Sequence, residues 1–374
     1  MAFYLDHAAT TPVRPAAVER MTRLLTDGVG NPSGAHRMAR DANRVLDEAR
    51  EQMAEAMGAE PDEVVFTAGG TEADNLAVFG TLEARGGVAV CSAVEHHAII
   101  DPVEHLGGRV VAVRTDGLVD LQALAESLDD DVSVVSVMLA NNETGIIQPL
   151  AEIAALVREH APQALLHTDA VQAFSWLDLA SVGAVADLIS VSAHKFGGPQ
   201  GVGALVVRKG SPMSPRVRGG GQERGRRSGT QNVPGIAAMA VAASEMVAER
   251  DTVVSRVADL RDQLIDGLQT SVDGVIESGR RADKTANMCH VCIEGIESEA
   301  LLFLLEKEDV LASAAASCSS GAMEPSHVLA AMGFDRQLAF GSLRLSLGYP
   351  STQADVDAAL AVLPPAIARL REAA

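Results

Sequence analysis

The stretch LISVSAHKFGGPQGVGALVVR, residues 188–208, opens as an apolar strand pattern. It turns abruptly through His194 and Lys195 into glycines before a second apolar run. Lysine is scarce in this chain, occurring only at Lys195, Lys209, Lys284 and Lys307, whereas arginine is plentiful. A cationic side chain at the end of a buried strand carries a desolvation cost unless it is paired or chemically used. Arginine supplies charge equally well, but only lysine supplies a nucleophilic amine.

Outward from that turn, between about Glu63 and Arg208, short apolar runs alternate with helical patterns: VVFT, GVAVCS, RVVAV, SVVSVML, ALLHTDA, LISVSA and GALVVR. This alternation predicts an α/β domain with a largely parallel sheet. Polar clusters follow the runs: AGGTEADN (68–75), EHHAII (95–100), NNETG (141–145), TDAVQ (168–172) and HKFGG (194–198). Groups at the carboxyl ends of such strands converge, so these clusters predict one shared site. Ahead of the sheet, a helix is expected from Ser33 as N-cap to Met57, closed by Gly58. After Pro234 a long helical pattern runs to about Gln269, with a kink or break expected near Arg250. It leads into a smaller α+β domain that ends in a helix over 353–372. The expected division is a large domain over 16–255, and a small one made of 1–15 and 256–374.

The 374 residues are 47% hydrophobic but only 3% aromatic, so the core is expected to be Ala, Val, Leu and Ile. A formal net charge of −20 keeps the chain soluble and argues against direct binding to nucleic acid or to anionic membranes. The most apolar window, GIAAMAVAASEMVA (235–248), is shorter than the roughly 20 residues of a membrane span. The opening MAFYLDHAATTP has neither a basic nor an apolar leader region, so no signal peptide is expected. Four cysteines in so long a chain make no disulfide framework, and a reducing cytoplasm is the expected location.

Several residues carry chemistry beside a blander reading. Lys195 is either a salt-bridged strand-end lysine or a Schiff-base lysine, with Ser192 and His194 beside it able to bind a phosphate. AGGTEADN follows a strand and opens a helix, where backbone N–H groups and the Thr71 hydroxyl make an anion site; it lacks the nucleotide-binding patterns. Asp169 caps a helix or keeps a pyridinium nitrogen protonated, and Gln172 and Asn142 can reach a phenolic oxygen. Of the pair His96–His97, one ring stacked on a planar cofactor would shuttle protons near neutral pH. Cys318 sits among small residues (SAAASCSSGAMEP, 313–325), a composition that predicts a mobile loop carrying an exposed thiol. Cys91 lies in a strand pattern, and strand alternation points Cys289 and Cys292 to opposite faces, so no resident metal site is read from them. The run RVRGGGQERGRRSGTQN (216–232) is a solvated loop, or one that enters a neighbour's site through Thr230. Arg344, set among strand-like apolar residues, wants a carboxylate partner such as a substrate.

Together these motifs resemble the pyridoxal-phosphate (PLP) cysteine desulfurases of the aminotransferase class V group. The resemblance runs from YLDHAATTP and GNPSGAH through GGTEADN, EHHAI, NNETG, HTDAVQ, SAHKFGGPQGVGAL and RSGTQN to EPSHVLAAMG and LRLSLG. It implies the type I PLP-dependent transferase fold, with a mostly parallel seven-stranded sheet and a smaller α+β domain, working as a homodimer with sites at the subunit interface. It implies Lys195 as the cofactor-binding amine and proton carrier, and Asp169 as the pyridinium partner. Gln172 and Asn142 would lie at the phenolic side, with His96 stacked on the ring. Gly70, Thr71, Ser192 and His194 would hold the phosphate, and Thr230 would arrive from the other subunit. Arg344 with Asn31 would hold the substrate carboxylate, and Cys318, six residues before Glu324, would be the nucleophile that takes sulfur from L-cysteine as a persulfide.

The chain differs from the family's common pattern in the AAAS before Cys318, and in ending soon after its last expected helix. The expected sulfur acceptor is accordingly an iron–sulfur scaffold or a tRNA- or DNA-thiolation enzyme. Within the same fold, a selenocysteine lyase or a class V aminotransferase is the alternative. A non-catalytic scaffold would be expected to have lost Lys195 or Asp169, and both are present.

Overall fold

The computed structural model describes residues 2–28, 30–314 and 325–373. Its strands are β1 (Phe3–Tyr4), β2 (Val64–Thr67), β3 (Val88–Ser92), β4 (Arg109–Val111), β5 (Val132–Ser136), β6 (Leu165–Asp169), β7 (Leu188–Ser192), β8 (Gly203–Val207), β9 (Val275–Glu277), β10 (Met288–Ile293), β11 (Val310–Leu311) and β12 (Ser342–Ser346). Seven of them form one sheet in the order β2-β8-β7-β6-β5-β3-β4, parallel except at β8, which runs antiparallel to both neighbours. The seven apolar runs of the sequence are these seven strands. Strands β5 to β8 are buried at every residue, as expected of a sheet covered by helices on both faces. A second, three-stranded antiparallel sheet has the order β12-β10-β9, and β1 pairs in parallel with β11.

The buried apolar residues fall mainly into two clusters. One gathers the central sheet, the helix Arg37–Met57 and the Ala-rich run 236–246; the other gathers Leu5 with Val257 to Ile367. A single helix, Val233–Ser271, contributes to both and at 39 residues is about 58 Å long. The break expected near Arg250 is absent. Charged residues do not end a helix unless Pro or Gly, or a competing backbone bond, comes with them. Here Glu249 receives Arg14 at 3.1 Å, and Arg250 reaches Asp178 at 3.4 Å.

The first long helix also starts later than the sequence suggests, at Arg37 rather than after Ser33. The Asn31 carboxamide accepts the Ser33 N–H at 3.0 Å in a local turn, and the helix is capped instead by the His36 imidazole, which accepts the Ala39 N–H. Its other end is as expected, with Gly58 in the left-handed region at φ 61°. Cys289 and Cys292 are both buried in β10 but join different apolar clusters, the outcome of strand alternation. Among the described residues, no helix is long and apolar enough to cross a membrane.

Candidate active site

At the carboxyl ends of β5, β6 and β7 lies a cavity of about 430 Å³. Lys195 ends a one-turn helix, Ala193–Lys195, that follows β7 directly. Gly197, at φ 91°, reverses the chain there against Arg14; a Cβ at Gly197 would stand 2.7 Å from the Arg14 Cγ. The N-terminal segment crosses this turn. The Lys195 Nζ donates to the carbonyl oxygens of Ala8 at 2.6 Å and Ala9 at 2.8 Å, and the Thr11 N–H donates to the His194 carbonyl. Burial and the nearby Arg344 guanidinium bring the Lys195 amine down to about 8, against an opposing pull from Asp169 and Asp6. A half-buried lysine with that affinity for protons is partly a free amine near neutral pH.

Asp169 is the last residue of β6 and is buried; its Oδ1 accepts the Val171 N–H at 2.8 Å. Burial pushes its carboxyl up, while that N–H and the charges of His96 and Lys195 pull it down. His96 caps the helix His97–His105, its Nδ1 accepting the Ala98 N–H, and burial lowers its proton affinity. Gln172 donates to the Ala8 carbonyl at 2.9 Å.

The helix Gly70–Arg85 begins at the cavity wall, and a Cβ at Gly70 would stand 2.9 Å from the Val171 side chain and 3.4 Å from Ser192. Gly70, Thr71, Ser192 and His194 line both the cavity and a shallower outer recess beside Arg216 and Val217. His194 is kept neutral, brought down to about 4 first by burial and then by Lys195. On the opposite sheet, Arg344 of β12 is buried. Its Nη2 pairs with Asp6 at 2.7 Å and its Nη1 donates to the Asn142 carbonyl at 2.8 Å, while its Nε is buried with no partner among the described residues. The Asn142 Oδ1 is likewise buried without a partner among the described residues.

The structure therefore brings Gly70, Thr71, His96, Asn142, Asp169, Gln172, Ser192, His194, Lys195 and Arg344 around one cavity. Asn31 and Thr230 are exposed and do not line it. Cys318 lies outside the described residues. On one side of that segment Ser313 lines the cavity and pairs its backbone with Arg344; on the other, Ser326 donates to Glu143 and His327 meets the Glu95 carbonyl. Sequence reasoning missed Asp6 and Asp74, which also line the cavity. Both stood inside quoted motifs, but nothing in residue spacing shows that Asp6 meets Arg344 some 338 residues away.

The residues fit a PLP molecule. Asn142 and Arg344, each with one buried polar atom that has no partner among the described residues, line an enclosure that holds an amine, a buried carboxylate and an imidazole. One wall is a helix N-terminus opened by a glycine that a side chain would obstruct.

The aminotransferase class V family profile matches residues 3–359. An IscS-like cysteine desulfurase of Mycobacterium tuberculosis is 46% identical, covering 99% of this chain and 98% of its own. Among solved structures, a NifS-like protein superposes with a TM-score of 0.91 at 34% identity, covering 99% of this chain and 100% of the other. SspA in complex with cysteine superposes with a TM-score of 0.81 at 30% identity, covering 93% of this chain and 99% of the other.

Proposed function

The chain belongs to the aminotransferase class V family, and from that premise we propose how its own residues carry out the cysteine desulfurase reaction. The activity is PLP-dependent conversion of L-cysteine to L-alanine with transfer of the sulfur. PLP supplies, when bound, an electron sink for charge that develops at the substrate α-carbon. Lys195 would hold the cofactor, Asp169 would face its ring nitrogen, and His96 would stack on the ring with Asn142 and Gln172 at its phenolic side. Gly70, Thr71, Ser192 and His194 would take the phosphate.

Arg344, which lines the cavity, would bind the substrate carboxylate in a charge-assisted contact that holds the amino acid beside Lys195. The Lys195 Nζ then moves the α-proton. Its lowered proton affinity suits that task, because a base near the working pH both accepts and returns a proton. The Cys318 thiolate attacks the substrate sulfur; an S–S bond forms, the Cβ–S bond breaks, and the electron pair and a proton end on the carbon that becomes the alanine methyl. Cys318 stands five positions after cavity-lining Ser313, which supports its reach into the site.

We further infer that the protein works as a homodimer in the cytoplasm, exposed Thr230 serving the partner's site, and hands its sulfur to an iron–sulfur scaffold or a thiolation enzyme. The split of the buried apolar residues into two clusters supports a large domain over 16–255 and a small one from 1–15 and 256–374.

One observation carries the reading: the Lys195 amine, held by two carbonyls in the cavity that also contains Asp169, His96 and Arg344. The test is a single turnover of the PLP-loaded protein with L-cysteine, reading alanine and intact mass together. One added sulfur that maps to Cys318 and disappears in Cys318→Ser is expected. Alanine formed without sulfur on Cys318 would remove that residue as nucleophile.

A further inference from the structure

Beneath the cavity lies a buried polar cluster that the reaction above does not use. Asp74, the fifth residue of the helix Gly70–Arg85, points onto the sheet, lines the cavity and is only 1% exposed. Among the described residues its Oδ1 has no hydrogen-bond partner. The nearest cationic candidate is His167, whose Nε2 stands 3.7 Å away. That imidazole is fully buried between two serines, Nδ1 at 2.8 Å from the Ser136 hydroxyl and Nε2 at 2.9 Å from the Ser190 hydroxyl. Burial brings it down to about 3, so it is neutral at any working pH and offers Asp74 no compensating charge.

His167 and Asp169 are two residues apart on β6 and so share a face of the sheet, and Ser190 of β7 is the register partner of Asp169. Asp74 and Asp169 are thus two carboxyls at one buried end of the cavity, with Glu95 as the third acidic group within electrostatic reach. Two unscreened anions cannot share such a place at low cost. Asp169 has a backbone N–H at 2.8 Å and the positive groups Lys195 and His96 on its side. Among the described residues Asp74 has no positive group beside it, only the Ser190 hydroxyl and a neutral ring 3.7 Å away. Burial and Asp169 both push its carboxyl well up, and Ser190 offsets this only in part.

We propose that Asp74 is a positioning residue for Asp169: it carries the proton of this acid pair and, beside the hydrogen-bonded Ser190 and His167, completes a neutral floor that leaves the negative charge on Asp169. The idea rests on Asp169 being the charge partner of the cofactor ring, and the test separates the two. Asp74→Asn keeps the shape and the neutrality, Asp74→Ala removes the floor, and Asp169→Asn removes the charge.

Each is prepared as PLP-loaded protein, and three quantities are read: the pH midpoint of the cofactor absorbance, the PLP dissociation constant, and the protonated-carboxyl C=O stretch in the infrared. For Asp74→Asn, the midpoint and dissociation constant should stay close to those of the parent, and one protonated-carboxyl band should vanish. Asp74→Ala should weaken PLP binding severalfold and shift the midpoint. A midpoint shift in Asp74→Asn as large as that in Asp169→Asn would mean that Asp74 is an anion, and would overturn the proposal. So would Asp74→Ala behaving as the parent. If Asp74→Ala does not fold, the infrared band in Asp74→Asn decides alone. No effect of Asp169→Asn on any readout would instead remove Asp169 as the ring's partner.

Discussion

At the scale of single residues, the chemistry turns on what burial does to an amine. Desolvation and Arg344 lower Lys195 to about 8, so the free amine, the form that reacts with a carbonyl, predominates only above that pH. Capture of PLP by the apo protein should therefore quicken as pH rises through about 8 and then level, followed as the growth of cofactor absorbance. Lys195→Ala should show no such growth at any pH while its circular dichroism stays that of the parent. Arg344 gives a second expectation. Its guanidinium is fixed at the cavity wall by Asp6 and by the Asn142 carbonyl. Lysine cannot reproduce that fork, so Arg344→Lys should lower kcat/KM for L-cysteine by about 10- to 100-fold, the worth of a charge-assisted hydrogen bond. An unchanged kcat/KM would move the carboxylate site elsewhere. Lys195 was legible because lysine is rare in this chain; the meeting of Asp6 with Arg344 was not, because it exists only once β12 lies beside the N-terminal segment.

At the scale of elements, the helix Arg37–Met57 was read better at its end than at its beginning. Gly58 closes its helix in a left-handed conformation that glycine adopts freely, a signal carried by one residue. The start of the same helix depends on His36 serving as cap, a role that histidine rarely advertises. The arginine–glycine run 216–232 read as a solvated loop, yet it is tied down at one buried point. Glu223 receives both Arg50 guanidinium nitrogens, at 2.8 and 2.9 Å, and the Phe66 N–H at 3.0 Å. This pair joins the helix Arg37–Met57, β2 and the loop. Adjacent Glu223 and Arg224 both hold positive φ, which a non-glycine chain keeps only where its surroundings impose it. Glu223→Ala would strand a buried guanidinium and should cost about 3–5 kcal/mol of stability, measured by denaturant unfolding. A loss below 1 kcal/mol would show that the loop does not depend on the pair.

At the scale of the whole molecule, the cavity is built from segments at the far ends of the chain. Residues 6–9 close over Lys195, and Arg344 comes from the second sheet, so neither apolar cluster alone makes the site. If Thr230 serves the partner's site, Lys195→Ala and Thr230→Asp chains should each be inactive alone, the second because its carboxylate repels the phosphate. Unfolded together and refolded as a mixture, they should regain activity, since one site of each mixed dimer then holds an intact Lys195 and an intact Thr230. A mixture with no recovered turnover would place Thr230 in its own chain's site, and a Thr230→Asp chain active by itself would place it in none. The continuous helix Val233–Ser271 belongs to this scale too. Its charged midpoint looked like a break in the sequence, but Arg14 and Asp178, both distant along the chain, satisfy those charges.

What the sequence determined by itself was whatever depends on neighbours along the chain: the seven strands, the polar clusters after them, the glycine helix end and the rare lysine. Period and turn chemistry are local properties, and they survive in the written order of residues. Only the tertiary structure decided which carboxylate faces which cation, which helix start prevailed, and that Asp74, His167 and Ser190 make one buried cluster. These outcomes depend on desolvation and on partners brought from far along the chain, and neither is defined until the sheet and its covering helices have closed around them.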